Sequence, residues 1–220
     1  NSTACAISDL SPLAGLTKLE ALRILVNGVE DLSPLANLTS LTDLQLYGTF
    51  GQADLSPIAS LTNLKSLELQ RNGNAASGLA AEDLSCLSGM TKLQSLRIYG
   101  GSNDGGYSSL APLANLTSLT DLYLNLNEQV TSLAPLGNLT NLRSLELYIN
   151  GAYNRPTLTD ISPLGKLTNL QSLTLTERGV TDISALKNLT NLQTLEIREY
   201  GNAKISDWSP VAHVPNVSKS

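Results

Sequence analysis

The sequence predicts an α/β fold: a curved solenoid of about eight full coils, with a parallel β-sheet on its concave face and short 3-10 helical turns on its convex face. Three observations carry this expectation. A triplet Leu-x-x-Leu-x-Leu/Ile recurs eight times, beginning at Leu19, Leu41, Leu64, Leu93, Leu119, Leu142, Leu170 and Leu192. A motif of the form Asp-Leu/Ile-Ser-Pro-Leu, as in Asp31-Leu32-Ser33-Pro34-Leu35, follows most of the triplets. The triplets start 22 to 29 residues apart, and the extra residues all fall into one segment of the unit. Fixed self-similarity at such a period marks a stack of like coils.

Each part of the unit has a local reason. The Leu-x-Leu portion alternates with period two, which makes a short strand with one buried face. Ser before Pro suits the start of a short helical turn, with Ser as its N-cap and Pro at the first helical position. Gly or Asn at positions 15, 37, 89, 115, 138 and 188 would close that turn in the left-handed conformation. One coil cannot bury its own leucines, so the coils stack and the strands align as a parallel sheet. The chain is then a single repeat domain over residues 1–220.

Composition limits what such a domain does. With 41% hydrophobic residues but one Phe, one Trp and one Met, the core has to be aliphatic. A net charge of −5 lacks the basic surface that nucleic acid requires. No run of about 18 apolar residues could insert into a membrane. The chain opens at Asn1 without an apolar leader, as a processed chain or an excised piece would. Cys86 stands where sister units carry Pro and reads as a small buried thiol. Three rungs at about 4.8 Å each separate it from Cys5, beyond the reach of a disulfide.

The run Leu22-Arg23-Ile24-Leu25-Val26-Asn27-Gly28-Val29-Glu30-Asp31-Leu32-Ser33-Pro34-Leu35 resembles the 22-residue leucine-rich repeats of the bacterial internalin family, and the resemblance extends from residue 7 to about 217. It implies a leucine-rich-repeat curved solenoid and an internalin-like, bacterial, secreted or cell-surface protein that binds or adheres without catalysis. It also implies a buried Asn at 27, 72, 127 and 150, replaced by Thr49, Gly101, Arg178 and Tyr200 in other coils. The helical cap and immunoglobulin-like flank of that family are not in the sequence, as for a domain cut from a larger surface protein.

The extra residues lie between strand and turn, at Gln70 to Ala81, Tyr99 to Ser109, Tyr148 to Thr159 and Arg198 to Lys204. Loops lengthened on one edge of a solenoid mark its binding side. The seven tyrosines and Phe50 are expected on exposed strand positions or in these loops, none of them in a core leucine position. Tyr47, Tyr99, Tyr123 and Tyr148 should face the concave side, with Tyr107 and Tyr153 in the loops. Stacking the coils puts Arg97, Tyr123 and Glu146 in one column and Tyr99, Asn125 and Tyr148 in the next. With Gln70 and Tyr47 beside them, these are the candidate ligand-binding residues. Tyr is enriched at contacts for its rigid surface and hydroxyl. The same side chains could also merely stabilise neighbouring strands, at roughly 0.2–1 kcal/mol per pair.

Chemistry is set aside. The single His213 has no neighbouring nucleophile or acid and suits a surface or end-capping place. Asp9, Asp31, Asp54, Asp83, Asp160, Asp182 and Asp207 form a column that could suggest calcium, but their place before Ser-Pro fits turn capping. No cofactor or metal is expected. The Asn-x-Ser/Thr sequons at 37, 115, 138 and 188 arise from the repeat itself. The expected partner is a protein, with a glycan as second choice and self-association through uncapped solenoid ends as the structural alternative. Trp208, in place of the usual leucine, is expected to cover the last coil.

Overall fold

The computed structural model describes residues 7–50, 53–71, 84–99, 109–127, 130–150, 158–177, 179–199 and 204–219. Nine parallel strands form one open sheet in chain order: β1 (Ala21–Asn27), β2 (Asp43–Thr49), β3 (Ser66–Arg71), β4 (Ser95–Tyr99), β5 (Asp121–Asn127), β6 (Ser144–Asn150), β7 (Ser172–Glu177), β8 (Thr194–Glu199) and β9 (Asn216–Lys219). Short 3-10 turns alternate with them, from Ser11–Leu13 to Ser209–Val211. The result is a leucine-rich-repeat solenoid with the sheet along its concave face. The ninth strand exceeds the expected eight. Its Val217 and Lys219 pair in register with Leu195 and Ile197, so a valine and a lysine stand where the other strands carry leucine or isoleucine.

Apart from Leu25 on the first rung, the leucines of β1 to β8 face inward. Leu44 and Leu46, Leu122 and Leu124, and Leu145 and Leu147 are all buried, and the register pairs like with like along the stack. The remaining core leucines arrive by a second route. In the second unit the amide of Leu35 donates to the carbonyl of Leu32, Leu38 to Leu35, and Leu41 to Leu38, at 2.9–3.0 Å. The same steps link Leu110, Leu113, Leu116 and Leu119, and an equivalent track begins at Ile161 and runs through Leu164 and Leu167 to Leu170. Three-residue hydrogen-bonded steps bring every third residue to one face, so each unit's leucines line up inward all the way from turn to strand.

This track corrects two expectations. Gly15, Gly89, Asn37, Asn115, Asn138 and Asn188 do not close the turns in the left-handed conformation: among the described residues only Gly28 and Gly48 have positive φ. The turns instead pass directly into the next three-residue step, through Ala14 at φ −55° or Leu139 at φ −85°. Nor is Ser the N-cap. The preceding Leu, Ile or Trp holds that position without a side-chain cap, and Ser is the first residue of the turn with Pro beside it. The capping acceptor is the Asp two residues before Ser, whose Oδ1 accepts the Ser amide at 2.8 Å in Asp9, Asp31, Asp54, Asp160 and Asp207 and at 2.7 Å in Asp182. Where the unit has Ser109 or Ser132 instead, the hydroxyl accepts the equivalent amide at 3.1 and 3.2 Å. Asp83 lies outside the described residues.

Phe50 is a third correction. It is 1% exposed and belongs to the core. Inward positions of β2 run Leu44, Leu46, Gly48, and Phe50 continues the alternation one step past the strand. Gly48 leaves no side chain in its place, because a Cβ there would lie 2.0 Å from the carbonyl oxygen of Val26. Asn27, expected to be buried, is exposed on the first rung, where its Oδ1 accepts the Thr49 hydroxyl at 2.7 Å. On its outer side only the Ile7 bridge extends the sheet among the described residues. Asn72 lies outside those residues, as do the side chains of Asn127 and Asn150. Cys86 is a buried thiol, as read from the sequence.

The two ends differ. At the first coil Ile7, Leu16 and Leu25 are 42%, 48% and 50% exposed. At the last, Trp208 packs against the core, its Nε1 donates to the Ile205 carbonyl at 3.0 Å, and Lys219 Nζ sits 3.9 Å from its ring centre. Trp208 therefore covers the final coil, as its place in the motif suggests. His213 Nε2 donates to the Leu189 carbonyl at 3.0 Å and ties the last turn to the rung before it.

Candidate functional site

Outward positions of the strands form columns across the concave face. The register aligns Glu68, Arg97, Tyr123 and Glu146 in one column. It aligns Tyr47 with Gln70 and Gln70 with Tyr99, and further along Asn125 with Tyr148 and Tyr148 with Thr176. The register therefore carries the whole first column and the Asn125–Tyr148 part of the second, while the β4–β5 pairing ends at Ile98 with Leu124, one residue before Tyr99. It leaves no freedom to slip, because a shift by one residue would turn the strand leucines outward.

The side chains then make contacts that columns alone do not dictate. Tyr123 lies diagonally between Tyr99 and Tyr148, with ring centres 4.2 and 5.1 Å away and interplanar angles of 33° and 36°. All three rings are half-buried. Offset, tilted pairs of this kind add about 0.5–1.5 kcal/mol each beyond their buried area. Arg97, on β4, reaches past rung five to Glu146 on β6, with Nη1 3.9 Å from Oε1, and the same nitrogen donates to the Tyr99 hydroxyl at 3.3 Å. Tyr123 is therefore bracketed by two rings and by an ion pair that meets across its rung.

That enclosure shows in its acidity. Burial, with smaller contributions from Tyr148, Tyr99 and Glu146, pushes the Tyr123 phenol up to about 12. Tyr148 is raised too, by burial first and then by Glu146. Both phenols therefore stay neutral hydroxyls at physiological pH, and neither is tuned as an acid, base or nucleophile. The arrangement offers a semi-rigid aromatic surface edged by a guanidinium, a carboxylate and an amide. Such a surface can hold a partner.

The other candidates are set apart or lie elsewhere. Tyr47 is two rungs from Tyr99, with Gln70 between; its hydroxyl donates to Gln45 Oε1 at 2.8 Å and Arg23 stands 5.3 Å from its ring centre. It forms a second, smaller cluster with the exposed Leu25 beside it. Tyr107 and Tyr153 lie outside the described residues. Sequence reasoning missed two concave features. Arg198 grips Glu196 on its own strand through Nε at 2.8 Å and Nη2 at 2.7 Å. Thr176, between Tyr148 and Arg198 in the register, is 8% exposed and its hydroxyl has no hydrogen-bond partner among the described residues. The charge alternation along β8 signals the first; nothing in the sequence signals the second.

Comparison with known proteins supports the architecture. The family profile described as leucine-rich repeats (two copies) matches residues 168–213. No curated protein matches the chain. Among solved structures, internalin C2 of Listeria monocytogenes is 29% identical and superimposes with a TM-score of 0.71, covering 91% of this chain and 80% of its own. Internalin F of the same organism is 25% identical with a TM-score of 0.54, over 97% of this chain and 77% of its own. A leucine-rich-repeat protein of Leptospira interrogans is 19% identical, covers 96% of this chain and 57% of its own, and shares the fold with a TM-score of 0.64.

Proposed function

Since the chain is an internalin-type leucine-rich-repeat protein, we propose that it is a non-catalytic binding module of a secreted or cell-surface protein, holding a protein partner on its concave face. One observation carries the reading: Tyr99, Tyr123 and Tyr148 form a continuous aromatic ladder with Arg97 and Glu146 at its edge. Tyr and Arg are the residue types that dominate interface energetics. Half-buried rings whose neighbours already hold them give up little conformational freedom on binding. The loops after β4 and β6, where the sequence adds residues, flank this ladder in the chain. Among the described residues no helix is long and apolar enough to cross a membrane, and the acidic chain favours a partner with complementary positive charge.

Capture from candidate extracellular material, run side by side with the intact chain and with Tyr99, Tyr123 and Tyr148 all changed to Ala, tests the reading. The intact chain is expected to retain a protein that the variant loses, while circular dichroism shows the same fold in both. Retention by both rejects the ladder as the binding surface.

A second reading rests on the exposed Ile7, Leu16 and Leu25 at the first coil: the chain acts as a spacer that stacks end to end with other copies. Light scattering at rising concentration separates the two, because a persistent monomer excludes stacking.

A further inference from the structure

The edge where the strands begin carries a second surface unlike the concave face. Just before β6, β7 and β8 the chain places Asn141, Asn169 and Asn191 one above another, with Ser118 at the same position before β5. Each Asn Nδ2 donates to a backbone carbonyl of the preceding rung: to Thr117, Thr140 and Thr168, at 2.8, 2.9 and 2.8 Å. These bonds each use one of the two Nδ2 hydrogens and fix the amide planes. They leave a file of three Oδ1 acceptors that no donor among the described residues reaches. Beside the file, Arg143 and Gln171 form the wall of a groove open to solvent, and Arg143 pairs with no carboxylate among the described residues.

The same column shows what such an oxygen accepts. On rung three Asn63 makes the identical bond to Thr39, and there Lys92 of the next rung donates to Asn63 Oδ1 at 2.7 Å. On rungs six and seven the next rung supplies another Asn, and on rung eight it supplies His213, whose Nε2 bonds the Leu189 carbonyl instead, so the acceptors stay open.

The spacing and chemistry of the groove select its ligand. Its acceptors repeat with the rungs, at about 4.8 Å. An extended peptide presents amides on one edge only every second residue, about 6.8 Å apart, and cannot keep step. A polyamine would satisfy the amide oxygens but meets Arg143. An anion would suit Arg143 but meets the three oxygens. A chain bearing many neutral hydroxyls donates to the oxygens and accepts from Arg143 and Gln171 at once. We infer that this groove binds a neutral, hydroxyl-rich oligosaccharide lying across rungs five to eight, independently of the concave ladder.

The test is titration of the full chain, at millimolar ligand, with cellohexaose, maltohexaose and hexa-N-acetylchitohexaose, and in parallel with spermine and hexagalacturonate, followed by calorimetry and by the side-chain amide resonances of Asn141, Asn169 and Asn191. At least one neutral hexasaccharide is expected to bind and shift these resonances. Arg143→Ala with Gln171→Ala should weaken it tenfold or more, since neither side chain takes part in the Asn bonds that stabilise the coils. The triple Tyr→Ala variant should bind as the wild type does. Absence of binding by all three neutral hexasaccharides overturns the proposal. So does undiminished binding by the Arg143/Gln171 variant, loss of binding in the Tyr variant, or tighter binding of spermine or hexagalacturonate than of any neutral sugar.

Discussion

Gly48 shows how one residue can decide a rung. Its φ of +115° and the Val26 carbonyl 2.0 Å from any added Cβ leave no room for alanine. Gly48→Ala is expected to cost about 3 kcal/mol or more, combining backbone strain with displacement of β1, and urea denaturation reads it directly. Thr176 predicts the opposite sign. Its buried hydroxyl, unpartnered among the described residues, already carries a desolvation penalty, and Val has nearly the same shape, so Thr176→Val should hold stability or raise it by about 1 kcal/mol. Tyr123 is checked by its own titration. The unfolded phenol ionises near 10.0 and the folded one at about 12. The stability this contributes is whole below pH 10 and is lost as pH rises through 12. Ultraviolet titration of the native chain should show a late phenolate component that Tyr123→Phe removes. Of these three features the sequence disclosed only the outward placement of Tyr123. Alternation tells which face a residue takes, but not whether its neighbours enclose it.

The turns are the elements on which acid acts. Asp9 and Asp182 are held below the usual carboxylate range mainly by the Ser amide they accept, and Asp54, Asp160 and Asp207 mainly by the Ser hydroxyl. A depressed carboxylate stabilises the fold above its unfolded value, here 3.8, and that contribution disappears as pH falls through the lower folded value. Replacing all five by Asn, which still offers an oxygen to the Ser amide, should flatten the dependence of stability on pH below about 4, measured as thermal midpoints across that range. The capping role was legible because Asp precedes Ser-Pro at a fixed offset. Two details were not. Ser and Asp are both good caps, so composition does not say which one accepts the amide. Gly and Asn after the turn suggest a left-handed close, whereas hydrogen-bonded three-residue steps carry the leucines onward without one.

At the scale of the molecule, the leucine period determines nearly everything that can be read in advance: strand order, register, and the two columns of the candidate face. Four residues escape it for physical reasons. Val217 and Lys219 make a strand without its leucines because β8 supplies the hydrogen-bonding template. Phe50 enters the core because Gly48 vacates space, although the other aromatic residues of the strands face outward. Asn27 stays exposed because, among the described residues, only the Ile7 bridge lies on the outer side of the first rung. The distributed core predicts a graded response to damage, since each coil contacts only its neighbours. Leu124→Ala, in the middle of the stack, should cost about 2–5 kcal/mol, whereas Leu16→Ala, half exposed at the first coil, should cost well under about 1 kcal/mol, both read from chemical denaturation.

The hydrogen-bonded leucine track ends where each strand begins, and every added residue comes after the strand. Positional control and length variation are thereby assigned to separate stretches of chain. β3 and β4 pair Leu67 with Leu96 although their triplets begin 29 residues apart, while β1 and β2 pair Leu22 with Leu44 at 22. A protein built this way can revise what its rim presents, by insertion or deletion, without disturbing the platform beneath. Removing residues 73–78 should therefore leave the thermal midpoint within a few degrees of the parent and leave the tyrosine ladder in place.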